Sequence, residues 1–414
     1  MSVPRQTDAP MLTWAVTTTA TLSGTTSAKH GFSPQRLERL HGQIESFVQE
    51  GKHGGISVLL LRKGQVADFF AVGFRDRQTE KLMQADTIVR IYSLTKIITS
   101  VAALTLIEEG KLGLSHPVKD YLPEFNDMRI FVGGNAQHRE LIPAEVPINV
   151  HHVFTHMSGF TYGDNEEPID EFYQTSGLEK ADSLADFVRE LATLPLKREP
   201  GTAYEYGFST DILARVVEVV SGKPFDLFVQ ERILEPLGMT DTGFRVEDAK
   251  RDRLAKVYEH GKNGELQQVQ RFEFEEVEGQ KKFPMGGSGL FSTIEDYSRF
   301  AQMLCNGGEL NGVRILSRKA LEQMTVDHLG GKPVTNRTYT EGYGFGLGVA
   351  VRTNNGLAGT LGTLGAFGWS GKATTLCMID PAEELVMLVF TQHLPYDAHG
   401  LFERFTNLVY QALV

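Results

Sequence analysis

Ser93 and Lys96 stand three residues apart in Ile91-Tyr92-Ser93-Leu94-Thr95-Lys96, and the continuation, Ile97 to Ile107, is apolar on nearly every side. Such a run reads as a buried helix opened by the serine. Residues three apart share a helical face, so the Lys96 amine comes within reach of the Ser93 hydroxyl, and the helix N-terminus adds partial positive charge. A serine hydroxyl is a weak nucleophile until a neighbour takes its proton. Lysine can do so once burial and nearby charge depress its pKa toward neutrality. Alone, Ser-x-x-Lys is a weak signal, because two common residues meet that spacing by chance.

Two further segments supply context. Pro200-Gly201-Thr202-Ala203-Tyr204-Glu205-Tyr206-Gly207-Phe208-Ser209 is rich in turn residues and places Tyr206 just before a helix that begins near Asp211. A phenol held there can shuttle a proton. Tyr204 competes for that role, and either tyrosine by itself reads as a half-buried core aromatic. Phe367-Gly368-Trp369-Ser370-Gly371-Lys372-Ala373 carries glycines that let a backbone approach a ligand closely before a strand resumes. Backbone N–H groups at such a spot can hold an oxyanion, and with the Ser93 N–H the Lys372 N–H would make a two-donor hole. Losing one such donor typically costs about 3 to 4 kcal/mol of transition-state stabilisation. Without its partners the segment is a Gly-rich strand entry.

Together these segments resemble the serine β-lactamase and penicillin-binding superfamily, and within it the class C-like branch called family VIII carboxylesterases. The resemblance runs from about Ser33 to the C-terminus. It includes Val89-Arg90-Ile91-Tyr92-Ser93-Leu94-Thr95-Lys96, Val153-Phe154-Thr155-His156-Met157-Ser158-Gly159, Glu235-Pro236-Leu237-Gly238-Met239, Gly286-Gly287-Ser288-Gly289-Leu290 and Tyr343-Gly344-Phe345-Gly346-Leu347-Gly348. It implies Ser93 as nucleophile, Lys96 as its base, Tyr206 as the phenol that relays a proton to the leaving group, and an oxyanion hole from the N–H groups of Ser93 and Lys372.

The departures matter equally. Class C β-lactamases carry Tyr-x-Asn where this chain has Tyr206-Gly207-Phe208, and Lys-Thr-Gly where it has Trp369-Ser370-Gly371. Losing that cation removes the natural partner of a substrate carboxylate, and an indole puts an apolar wall in its place. Tyr92, Phe208, Trp369, Ser370 and Gly371 are therefore read as substrate-binding. The expected substrates are small short-chain carboxylic esters, with weak β-lactam hydrolysis as a side activity. The alternatives are a β-lactamase, a D-alanyl-D-alanine peptidase or an inactive penicillin-binding module; retention of Ser93, Lys96 and Tyr206 together speaks against the last.

The elements that must position these residues are legible in outline. Leu37, Leu40, Ile44, Phe47 and Val48 recur at helical spacing, with Ser33 as N-cap, Pro34 at the first position and Gly51 past the end. Ile56 to Arg62 and Gln65 to Val72 read as strands joined by a hairpin at Lys63-Gly64. Thr375 to Ile379 and Glu384 to Thr391 flank a second turn at Asp380-Pro381-Ala382-Glu383, and His399 to Leu413 carries a helical apolar stripe. Both termini thus belong to one antiparallel sheet flanked by helices. Between them Leu94 to Glu109, Leu184 to Leu194, Asp211 to Val220 and Phe225 to Ile233 read as helices, joined by loops that include Phe131 to Glu145 and Tyr162 to Asp182. The expectation is an α/β protein of the β-lactamase/DD-peptidase type, with a sheet lobe from residues 31–120 and 280–414 and a mostly helical lobe at 121–279.

Composition narrows the function classes. The 414 residues carry a formal net charge of -11, which offers no broad basic face for nucleic acid. No stretch approaches the roughly 20 apolar residues of a membrane span. The two cysteines, Cys305 and Cys377, cannot build a disulfide framework or a zinc cluster and read as buried small hydrophobes. His151, His152 and His156 form the only cluster of histidines along the sequence. No carboxylate-rich motif accompanies them, so no metal or other cofactor is expected. No serine fits the Gly-x-Ser-x-Gly of an α/β-hydrolase; Ser288 lacks the final glycine. The Thr-rich stretch Met11 to Leu22 makes a poor secretory signal and reads, within residues 1–30, as a loosely ordered leader, which favours a cytoplasmic over an exported protein.

Overall fold

The computed structural model describes residues 27–135, 138–270, 272, 274–335 and 341–414; the expected leader from Met11 to Leu22 lies outside them. Its centre is an eight-stranded antiparallel sheet. The strands are β1 (Gly55–Arg62), β2 (Gln65–Asp76), β3 (Lys81–Leu82), β4 (Tyr343–Phe345), β5 (Ala350–Arg352), β6 (Phe367–Gly371), β7 (Thr375–Asp380) and β8 (Leu385–Thr391). Their spatial order is β4-β5-β6-β7-β8-β1-β2-β3, so the N-terminal and C-terminal hairpins join along β1 and β8, from Ile56 opposite Thr391 to Arg62 opposite Leu385. Lys63 and Gly64 close the first hairpin with φ of 52° and 71°, the left-handed pair that a two-residue turn matching the strand twist requires.

β1 is buried along its whole length because both sheet faces are covered. Ile56, Val58 and Leu60 pack with Leu40 and Phe47 of α1 (Pro34–Gln49) and with Phe405 and Val409 of the C-terminal helix Leu401–Ala412. Leu59 and Leu61, one residue out of phase, point into the larger core on the other face. That core is built around α2 (Thr95–Glu108), whose residues from Thr95 to Leu106 are all buried, as an all-round apolar helix must be. Helix Ser209–Ser221 packs against it and helix Leu184–Leu191 against Ser209–Ser221, and their apolar residues share its core.

The structure amends the sequence reading in four places. Tyr162 to Asp182, expected as a loop, carries the short helix Asp170–Gln174. Phe131 to Glu145 is not a plain loop: Arg129–Gly134 pairs with Arg139–Pro143 as a hairpin, with Ile130 turned inward. The expected helix Phe225 to Ile233 is α-helical only to Val229 and then widens into a π turn, Gln230–Leu234. Ser93 itself precedes α2, in a single 3₁₀ turn, Tyr92–Leu94. Among the described residues no helix is long and apolar enough to cross a membrane.

The chain entering that turn is tied down by a buried fork. Arg90, 1% exposed, donates to Glu275 from Nε (3.0 Å) and Nη2 (2.7 Å), while Gln392 accepts the Arg90 N–H at 3.0 Å and donates to the Arg90 carbonyl at 3.0 Å. Removing one partner of such a pair leaves the other charge buried and uncompensated, at about 3–5 kcal/mol. Glu275→Ala is expected to lower unfolding stability by about that amount in urea titrations; a loss below about 1 kcal/mol, the range of an exposed pair, would contradict the account.

Candidate active site

Ser93 is held by strain and close approach. Tyr92 has a φ of 44°, a left-handed value that costs a non-glycine residue about 1–3 kcal/mol and persists only where neighbours over-determine it. The Ile91 N–H donates to the Leu290 carbonyl (3.2 Å) and the Tyr297 hydroxyl donates to the Leu94 carbonyl (2.9 Å). On the other side β6 lies directly on the turn. A Cβ at Gly371 would sit 2.4 Å from the Ile91 carbonyl oxygen and 2.3 Å from Thr375 Oγ1, so only glycine lets the Trp369-Ser370-Gly371 strand reach the nucleophile.

Lys96 is 1% exposed, and its Nζ has three partners: Ser93 Oγ at 3.2 Å, the Tyr162 hydroxyl at 2.9 Å and the Gly287 carbonyl at 2.6 Å. The carbonyl can only accept, so one N–H is committed there. An ammonium satisfies all three partners as donor; a neutral amine satisfies them with two N–H groups and a lone pair directed at Ser93. The arrangement therefore serves both states that a proton acceptor must visit.

Tyr162, which the sequence reading treated only as a loop boundary, is the phenol bonded to that amine. Burial of its hydroxyl, with Tyr206 and Asp211 nearby, holds its pKa well above the usual phenol value, so it stays neutral. Tyr206 is placed differently. Its hydroxyl accepts the Trp369 Nε1–H at 3.1 Å, which leaves its own proton free to donate, and its ring centroid lies 4.8 Å from Lys96 Nζ. Tyr204 is fully buried against His156 and Phe345, away from this exchange. His156 lies against Tyr206 at 4.8 Å between centroids, and burial, then the Lys96 charge, keeps its pKa well below that of a free imidazole.

The second residue sequence reasoning missed is Asp211, in the first turn of helix Ser209–Ser221 and 1% exposed. Its Oδ1 accepts the N–H of Gly287 at 2.9 Å, the residue whose carbonyl receives Lys96. A Cβ on Gly287 would come within 2.6 Å of Oδ2, so the carboxylate is pressed onto that backbone. Burial raises the Asp211 pKa to about 6, against the opposing pull of the Lys96 charge.

The remaining expected residues line the same region. Tyr92 is half-buried beside Ser93; Phe208 meets Tyr162 edge-on at 4.6 Å between centroids. Ser370 Oγ shares a hydrogen bond with the Tyr396 hydroxyl at 2.7 Å, a rim contact the sequence did not suggest. Lys372 follows Gly371 in the tight turn closed by the Thr374 N–H to Gly371 carbonyl bond at 2.9 Å, with its side chain exposed. The three histidines adjacent in sequence do not converge: His151 pairs with His328, His152 caps its own helix through Asn149, and His156 packs on Tyr206.

Comparison with known proteins places this geometry in context. A family model described as Beta-lactamase matches residues 40–407. Esterase EstB of Burkholderia gladioli is 29% identical over 373 residues, 85% of this chain and 89% of that protein. Among solved structures, EstCE1, described as a hydrolase with promiscuous acyltransferase activity, is 25% identical with a TM-score of 0.75, covering 91% of this chain and 99% of its own. The unliganded simvastatin synthase LovD from Aspergillus terreus shares the fold at a TM-score of 0.80 and 22% identity, over 91% of this chain and 98% of its own.

With a carboxyl group that gains its proton near pH 6 beside the buried amine, activity should fall on the acid side with an apparent pKa close to about 6. Asp211→Asn is expected to abolish that limb and lower kcat at least about tenfold at higher pH, the equivalent of about 1.4 kcal/mol. An unaltered pH–rate profile in the variant would show that the carboxylate plays no part.

Proposed function

The chain belongs to the β-lactamase family of serine hydrolases, and on that footing we propose that it is a carboxylesterase of the family VIII type, acting on small short-chain esters through an acyl-enzyme on Ser93. Lys96 takes the Ser93 proton as Oγ bonds to the ester carbonyl carbon. The resulting oxyanion is held by the N–H groups of Ser93 and Lys372. Tyr206 gives its proton to the departing alkoxide as the carbon–oxygen bond breaks, and recovers one through Lys96. Water then repeats the sequence in reverse and frees the acid. Tyr162, disfavoured as an anion, keeps its proton and orients Lys96 without relaying one.

The observation that carries the ester reading is the Trp369 contact. Where β-lactamases present a cation, this chain has an indole whose N–H is spent on Tyr206. At that position the pocket thus meets its substrate with an apolar wall in place of the cation that a β-lactam carboxylate would pair with. The esterase name of EstB supports the same reading.

Ser93→Ala should abolish hydrolysis of p-nitrophenyl butyrate without unfolding the protein; retained turnover would refute the nucleophile. Tyr206→Phe should lose about 10²- to 10⁴-fold in kcat as a proton-transferring group does, and Tyr162→Phe a smaller factor; the reverse ranking would exchange their roles. Short-chain esters should exceed nitrocefin in kcat/KM by at least about 100-fold, or about 2.7 kcal/mol. The opposite ratio would make the protein a β-lactamase.

A further inference from the structure

Away from the serine site the fold gathers four histidines that lie scattered over the sequence. His260 and His393 are neighbours because strand His393–Leu394 runs parallel to Tyr258–His260, and His399 follows six residues later at the turn into the C-terminal helix. His53, from the loop before β1, packs against them with ring centroids 4.8 Å from His393 and 5.6 Å from His399. One ring nitrogen from each of His260, His393 and His399 lies within 4.8 Å of the other two.

We infer that His260, His393 and His399 form a binding site for one divalent transition-metal ion of zinc type. His393 Nε2 and His260 Nδ1 are 3.1 Å apart. Two nitrogens each about 2.0–2.1 Å from a tetrahedral zinc stand roughly 3.3 Å apart, so this pair already spans one edge of the coordination polyhedron. The other nitrogen of His260, Nε2, faces the Gly51 carbonyl at 3.2 Å. A metal-bound imidazole ordinarily donates its second N–H to such an acceptor, which fixes tautomer and ring orientation.

A polar atom left over points the same way. Among the described residues His399 Nε2 is buried with no hydrogen-bond partner, a state that native structures rarely leave unexplained and that an ion would relieve. His393 is completely buried while His260 and His399 are partly exposed, which gives the ion a route in from solvent. Imidazole ligands without a carboxylate select zinc, nickel or copper over magnesium or calcium.

The site would clamp two parts of the chain remote in sequence, His260 and the segment from His393 to His399. Its segment also braces the turn that carries Lys372: the His393 N–H donates to the Ala373 carbonyl at 3.1 Å, and Thr374 Oγ1 donates to the His393 carbonyl at 3.1 Å. A bound ion is therefore a structural tie and takes no part in ester hydrolysis.

The test is a zinc titration of the tag-free, chelator-treated full chain by calorimetry, with thermal unfolding in parallel. One zinc per chain is expected, and zinc at ~100 times its Kd should raise the folding equilibrium constant ~100-fold, read as a higher Tm. His399→Ala and His260→Ala should each weaken binding at least tenfold while leaving ester turnover intact, and His151→Ala, at the separate His151–His328 pair, should leave zinc binding unchanged. Absence of saturable zinc binding, equal affinity in the His399 and His260 variants, or loss of binding in His151→Ala would each overturn the assignment.

Discussion

A buried lysine with three assigned partners is the constraint on which the rest of this molecule depends. An amine removed from water must have every N–H satisfied, and here the satisfying groups come from three distant places: Ser93 from its own turn, Tyr162 from a loop, and the Gly287 carbonyl from the segment that crosses α2. Meeting that demand fixes the position of each. The all-apolar α2 supplies the burial, and the close approach of Asp211 to Gly287 supplies a negative charge nearby.

A second constraint is proximity of backbone. The β6 strand reaches the nucleophile because Gly371 has no side chain to strike the Ile91 carbonyl, and the nucleophile turn accepts a left-handed Tyr92 because Arg90, Glu275 and Gln392 anchor the chain before it. Strain at Tyr92 and packing at Gly371 are two sides of one arrangement: the sheet and the helices are pressed together where the chemistry occurs, and rigid neighbours hold the geometry.

Much of this was legible in the sequence where the signal is local. Ser33-Pro34 with a period near 3.6 gave α1, the break at Lys63-Gly64 between two β-rich runs gave the first hairpin, and Ser93-x-x-Lys96 put two reacting groups within reach of each other. What was illegible depends on contacts between residues far apart in sequence. Tyr162 meets Lys96 across 66 positions and Asp211 meets Gly287 across 76, and neither stands in a motif. The histidines show the same lesson in reverse: His156 stands close to His151 in sequence yet packs on Tyr206 while His151 pairs with His328, whereas His260 meets His393 across 133 positions. The run Ile130-Phe131-Val132, of the β-branched and aromatic types that favour strands, was a local signal for the hairpin that replaced an expected loop.

The central claim is that Lys96 activates Ser93 for attack. Rapid quenching of the protein with a slowly deacylated ester, followed by peptide mass spectrometry, tests it most directly. The account predicts one acyl group on the peptide containing Ser93 in the wild type and none in Lys96→Ala over the same interval. An acyl group elsewhere, or acylation of Ser93 at an undiminished rate without the lysine, would contradict it.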